Sequence, residues 1–138
     1  MRIMAIDYGD AHTGIAISDP TGFLAGFTTV INAYRPEVVA EQVAALAKEH
    51  GVEELVLGHP INMDGTRGPR SEKAQAMKAL LEEVTALPVA LWDERRTTID
   101  AHNILFQSGK NAKKRKKIVD AVAASLILEG YLTYRKSR

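Results

Sequence analysis

The sequence has no cysteine, so it can build neither a disulfide framework nor a thiolate metal site. That absence fits a reducing compartment. No apolar run approaches the ~20 residues that a membrane-spanning helix needs, and no membrane partner is expected. The first residues, Arg2-Ile-Met-Ala-Ile-Asp7, read as a strand rather than a signal peptide. Together these absences make a cytoplasmic location the expectation. The four histidines, His12, His50, His59 and His102, show no helical or short-loop pair spacing, which excludes a zinc motif. His12 and His59 read as loop residues close to the polar segments described below, His50 and His102 as surface residues. No glycine-rich loop ends in Gly-Lys-Ser/Thr, so a Walker-type nucleotide site is unsupported. There is no internal repeat, low-complexity segment or interdomain linker, and the 138 residues are read as one domain, 1–138. A domain of that size buries roughly two-thirds of the surface its unfolded chain exposes. The 46% apolar content matches a soluble globular protein.

The net charge of +1 hides an asymmetry. Residues 1–109 hold 9 Lys/Arg against 15 Asp/Glu, a net of −6; residues 110–138 hold 9 against 2, a net of +7. Most of the excess is Lys110 and the run Lys113, Lys114, Arg115, Lys116, Lys117. An isolated basic run is commonly a solvated loop. This one abuts Asp120, and a cation cluster beside a carboxylate site suits a polyanionic substrate.

Residues 2–7, 14–18 and 26–31 read as three strands joined by short turns, an antiparallel meander. Pro36 opens a helix whose apolar spacing (Val38, Val39, Val43, Leu46, Ala47) ends at Gly51. A buried strand follows at 54–57 and a loop at 58–70. Ser71 reads as the N-cap of a helix to about Leu87, with Glu72 in its first turn. Pro88 stops that helix before a strand at 89–92. A short helix is expected from Thr97 to about Ser108, and a long one from about Lys114 to Tyr134. The order βββαβαβαα predicts an α/β fold, a mixed five-stranded sheet flanked by helices.

Three acids stand in apolar surroundings: Asp7 after Ile3-Met-Ala-Ile, Glu94 after Val89-Ala-Leu-Trp-Asp93, and Asp120 within Ile118-Val119-Asp120-Ala121-Val122. A buried carboxylate without a partner is costly. Carboxylates that meet repel one another unless a divalent cation lies between them. Such a trio is the arrangement of a metal-dependent phosphodiesterase. Each acid also has a plainer reading: Asp7 begins a turn, Glu94 pairs with Arg95 or Arg96, and Asp120 favours a helix start. It is their combination that points to a site.

Gly9 and Gly14 around the first turn allow tight backbone geometry and close approach of a phosphate. The same Asp-x-Gly hairpin occurs in sugar kinases and actin-like ATPases, which need a second domain that this length cannot hold. In the loop from Leu57 to Gly68, Asn62 and Arg67 or Arg70 can hold a nucleic-acid backbone; an ordinary strand-to-helix loop is the alternative. Asp93-Glu94-Arg95-Arg96-Thr97-Thr98 places acid at a strand end beside two guanidiniums suited to phosphate.

These stretches together resemble the YqgF/RuvX family of ribonuclease H-like proteins, the pre-16S rRNA nucleases, also described as Holliday-junction-resolvase-like. The motifs are Ala5-Ile-Asp-Tyr-Gly, Gly14-Ile-Ala-Ile-Ser-Asp-Pro, Gly58-His-Pro-Ile-Asn-Met-Asp-Gly, Asp93-Glu-Arg-Arg-Thr-Thr and Val119-Asp-Ala-Val-Ala-Ala, in that order along the whole chain. The resemblance implies a ribonuclease H-like domain with Asp7, Glu94 and Asp120 as catalytic acids and metal ligands, holding two Mg²⁺ or Mn²⁺ ions. Asp93 is an alternative ligand, because adjacent side chains at a strand end point oppositely. It further implies 5′-end processing of pre-16S rRNA. Lys113–Lys117, Arg95, Arg96, Asn62 and Arg67 then become nucleic-acid contacts, in a monomer or a homodimer. Three rival readings are a resolvase acting on branched DNA, a non-catalytic nucleic-acid-binding factor and a small ATP-binding protein. The chain departs from the family pattern at His59, where Leu is commoner, and at Arg96, where an aliphatic residue is usual. Both departures bear on substrate preference and leave the acids untouched.

Overall fold

The computed structural model describes residues 1–21, 25–59, 68–93 and 112–136, without the side chains of 25, 112–120 and 136. In chain order the elements are β1 (Arg2–Asp7), β2 (His12–Ser18), β3 (Ala25–Asn32), α1 (Pro36–His50), β4 (Val52–His59), α2 (Pro69–Thr85), β5 (Val89–Asp93) and α3 (Ala112–Lys136). The strands form one sheet in the order β3-β2-β1-β4-β5. β2 runs antiparallel to both β1 and β3, whereas β4 runs parallel to both β1 and β5. The mixed sheet and its leading meander match the expectation. The short helix expected at Thr97–Ser108 lies outside the described residues.

Alternation along the strands sorts the side chains onto two cores. Met4, Ile6, Ile15, Ile17, Leu55 and Leu57 face α1 and α2, meeting Val39, Val43, Met77 and Leu81. Ile3, Ala5, Ala16 and Val56 face α3, meeting Ala124, Ile127, Leu128, Tyr131 and Leu132. The period of 2 in the strands and the helical spacing in α3 therefore lock two layers of helix onto one sheet.

The helix ends follow local chemistry. Pro36 opens α1, and Gly51 closes it in the left-handed region at φ 67°, its N–H bonding to the Ala47 carbonyl. β4 is longer at both ends than the expected 54–57, because pairing with β1 at Val52 and with β5 at Gly58 and His59 extends the ladder past the apolar run. α2 starts earlier than expected: Gly68 is its N-cap and Pro69 its first residue. Ser71 is consequently not a cap. It lies within the first turn, fully buried, and spends its hydroxyl on His59 at 2.6 Å.

α2 stops at Ala86, a non-glycine residue at φ 57°. The left-handed region costs an L-residue about 1–2 kcal/mol, and glycine returns part of that gain through its greater unfolded entropy. Ala86→Gly should therefore raise stability by up to about 1 kcal/mol. Ile127→Ala, on the sheet-facing side of α3 and 1% exposed, should cost about 2–5 kcal/mol. Urea unfolding of both variants measures the two effects. An Ile127 loss below about 1 kcal/mol would contradict the packing of α3 on the sheet.

Candidate active site

Asp7 is the last residue of β1, opposite Gly14 on β2. It continues the series Ile3, Ala5, so it stands on the sheet face that α3 covers. The chain then turns tightly. A Cβ built at Gly9 would overlap the backbone carbonyl oxygen of His12, so only glycine fits without moving the turn. His12 opens β2 rather than lying in the loop, and its Nδ1 meets Asn32 Oδ1 at 2.6 Å across the sheet edge. Asp10 caps the outside of the turn, its carboxylate accepting from Lys73 Nζ at 3.0 Å. Both side chains are largely exposed, so this pair contributes little stability, about 0–1 kcal/mol.

The direction of α3 follows from its far end. The Tyr131 hydroxyl donates to Glu54 Oε1 at 2.9 Å, and the Arg135 guanidinium donates to the other carboxylate oxygen. Glu54 pairs with Ile3 near the start of β1. The C-terminal half of α3 is thus anchored at the edge where β1 and β4 begin, and the helix runs back toward the edge where they end. Position 120 precedes Tyr131 by eleven residues, about 16 Å of helix. Asp7 lies four residues beyond Ile3, about 13 Å of strand. The backbone of position 120 and Asp7 consequently reach the same edge of the sheet on the same face. Position 120 also stands one turn before Ala124, in the stripe that includes Ile127, Leu128 and Tyr131.

Asp120 does not favour a helix start. α3 begins at Ala112 and has no acid in its first turn, and the field of the helix N-terminus falls off beyond that turn. The basic run Lys113–Lys117 forms part of the first turns of α3 rather than a loop ahead of it.

The alternation along β5 sets the face on which Asp93, its last residue, stands. Val89 and Leu91 belong to the core under α1 and α2, Ala90 and Trp92 to the core under α3. Asp93 continues the first series, on the face opposite Asp7. There it is in register with His59. His59, expected in a loop, ends β4 and is 6% exposed, bonded to Ser71 on α2. His50 is half-buried and stacks on Phe27 with ring centroids 4.7 Å apart. Glu94, Arg95, Arg96, Asn62, Arg67 and His102 lie outside the described residues. Among the described residues no group of three or more His, Asp or Glu could hold a metal ion.

The residues that reading the sequence passed over lie on the other side of the same turn. Tyr8, next to Asp7, packs against the α1/α2 core. Burial raises its phenol above the ordinary 10.0, the Asp10 carboxylate adds to the shift, and Lys73 opposes it. A raised folded-state value means that the neutral phenol is preferred in the native state. Its stability contribution is complete below the unfolded value near 10.0 and is lost as pH rises through the folded value.

Two outcomes follow. Tyr8→Phe should flatten the alkaline fall in stability above pH ~10, leaving the neutral range unchanged apart from a constant offset; thermal melts across pH measure it. Gly9→Ala should destabilise by on the order of 1–3 kcal/mol and lower activity further than the fraction unfolded explains, because the displaced turn adjoins Asp7. Retention of full activity would contradict the tight turn's role in placing that acid.

Residues 1–134 match the family model described as "RuvX: Holliday junction resolvase". A protein of Halothermothrix orenii named "Putative pre-16S rRNA nuclease" is 44% identical over 135 residues, covering 98% of this chain and 96% of its own. One of the same name from Clostridium botulinum (strain Alaska E43) is 45% identical over 132 residues, covering 96% of each. Among solved structures, T. thermophilus RuvC in complex with a Holliday junction substrate superposes with a TM-score of 0.64 at 14% identity, covering 99% of this chain and 96% of that one. At that identity the likeness concerns the fold, which is the ribonuclease H-like α/β fold. The full-length family match and the identity of the relatives together establish that this chain belongs to the RuvX family.

Proposed function

We propose that this chain is a nuclease that hydrolyses phosphodiester bonds at the β1/α3 edge, with the 5′ end of pre-16S rRNA as its substrate. The observation that carries the reading is the convergence of Asp7 and the backbone of position 120, from opposite ends of the chain, on one edge and one face of the sheet. The names of the relatives support nuclease activity and the choice of RNA.

Asp7 and Asp120 are the acids of the site, and Glu94 is the third. Asp93 is set aside because the phase of β5 turns it toward α2. A donor set of carboxylates without histidine or cysteine suits a hard, oxygen-loving cation such as Mg²⁺ or Mn²⁺, and the apolar surroundings (Ala5, Ala16, Val56, Ala124) favour neutralisation of clustered acids. Asp7, Glu94 and Asp120 would hold two such ions, which would supply positive charge where the phosphodiester is attacked and would make water a stronger nucleophile. The chain's own contribution is placement. The β1–β2 register fixes Asp7, the Glu54 anchor fixes the slide of α3, and Lys113–Lys117 on its first turns draw the phosphate backbone to that edge. Arg95, Arg96, Asn62 and Arg67 are further phosphate contacts in this reading. The protein acts in the cytoplasm as one domain, 1–138, in monomeric or homodimeric form. Among the described residues no helix is long and apolar enough to cross a membrane.

Asp7→Asn and Asp120→Asn should each abolish cleavage of a pre-16S rRNA fragment while preserving the fold, and Asp93→Asn should retain activity. Millimolar Mn²⁺ should raise the melting temperature of the wild type more than that of Asp7→Asn, since a ligand selective for the native state stabilises it. Full activity of Asp7→Asn contradicts the reading. Preferential cutting of a four-way DNA junction assigns the substrate to branched DNA instead.

The basic run gives a separate outcome. Changing Lys113, Lys114 and Lys117 to Ala should weaken RNA binding and reduce the slope of log affinity against log salt by about two, at roughly 0.7 per lost phosphate contact. An unchanged slope moves the phosphate path away from α3.

A further inference from the structure

On the α1/α2 side of the turn after β1 lies a cavity of about 430 Å³. Its lining includes Met77 and Leu80 of α2, Tyr8 and Tyr34, and the ion-paired Lys73 and Asp10. Tyr34 is 81% exposed. A ring so open to water adds little to the core, yet it lines a largely apolar hollow together with a second aromatic, Tyr8. The residue that begins the hollow, Tyr8, directly follows Asp7. Asp7 stands on the α3 face and Tyr8, just past the end of β1, packs on the α1/α2 face, so the acid and the cavity lie on opposite faces at one edge of the sheet.

We propose that this cavity receives one unpaired base of the strand being cut, stacked on Tyr34 with Tyr8 beside it, while the neighbouring phosphate crosses the sheet edge to Asp7. The inference rests on the nuclease reading and names its substrate class: a strand with at least one unstacked nucleotide next to the cleavage point. Three features select a base over other apolar occupants. Every base has a face for an aromatic ring to stack on. The lining offers an ammonium donor and a carboxylate acceptor, paired at 3.0 Å and largely exposed, with capacity left for the donor and acceptor groups along a base edge. The same charged pair would be an unfavourable neighbour for a purely apolar peptide or an acyl chain. A paired base inside a duplex cannot reach the cavity without leaving its stack.

The test is binding of a fluorescent single-stranded RNA to the full-length protein by anisotropy, in metal-free buffer so that no cleavage intervenes. An abasic nucleotide is moved along the strand, and the experiment is repeated with Tyr34→Ala, Tyr34→Phe and a fully paired duplex of the same sequence. One abasic position should weaken wild-type binding by roughly five- to a hundredfold, the range for losing a stacked base. Tyr34→Ala should lose a similar factor and no longer sense that position, whereas Tyr34→Phe should behave as wild type. Duplex binding should not respond to Tyr34→Ala. Equal binding by wild type and Tyr34→Ala, with every abasic position tolerated, overturns the base pocket and leaves the nuclease reading standing. A Tyr34→Ala variant that loses affinity for a free nucleoside monophosphate but not for the strand also overturns it, in favour of a free-nucleotide site. A wild type that binds neither strand nor duplex overturns the nuclease reading, and the pocket with it.

Discussion

The tie between Glu54 and the last turns of α3 determines what the rest of the molecule can do. Glu54 sits on β4 beside Ile3, and it accepts from both Tyr131 and Arg135. With that end pinned, the helix can only run back along β1 toward Asp7, and its apolar stripe drops Ala124, Ile127 and Leu128 onto Ile3, Ala5 and Val56. Gly130 takes part in the fit: a Cβ there would approach the Trp92 ring to 3.0 Å. Packing and direction together bring position 120 to the acid at the end of β1. A helix shifted by one turn, about 5.4 Å, would leave the two acids at different heights.

The sheet adds a second constraint, because its alternation decides which residues share a face. Asp7 and Tyr8 are chain neighbours on opposite faces, and so are Trp92 and Asp93. One edge can thereby carry two different surfaces: an acidic one under α3 and an aromatic, apolar one beside α1 and α2. The nuclease proposal uses the first surface, and the base-pocket proposal uses the second.

Much of this was legible in the sequence, for identifiable reasons. The meander showed in short apolar runs broken by turn residues, and Pro36, Gly51 and Pro88 marked element ends by fixed backbone chemistry. The place of Asp7 at the end of a buried strand was visible because a carboxylate interrupts a hydrophobic pattern. What could not be read depended on contacts between distant segments. Ser71 has the composition of an N-cap, but β4 delivers the buried His59 to its hydroxyl, and the cap lies three residues earlier, at Gly68. The face on which Asp93 stands depended on the phase of β5, which the partners of Ala90 and Trp92 reveal. The Tyr8–Tyr34 hollow joins a turn, a helix start and the middle of α2, and no local spacing announces it.

A divalent cation held jointly by Asp7 and the first half of α3 is what the proposed chemistry most depends on. Paramagnetic broadening of backbone amide resonances by substoichiometric Mn²⁺ tests for it without any substrate. Signals of Asp7, Gly14 and the residues around Asp120 should broaden together, and Asp7→Asn should remove the effect at all three places. Broadening confined to the Glu54–Arg135 end, or unchanged by Asp7→Asn, would contradict a shared cation site at the β1/α3 edge.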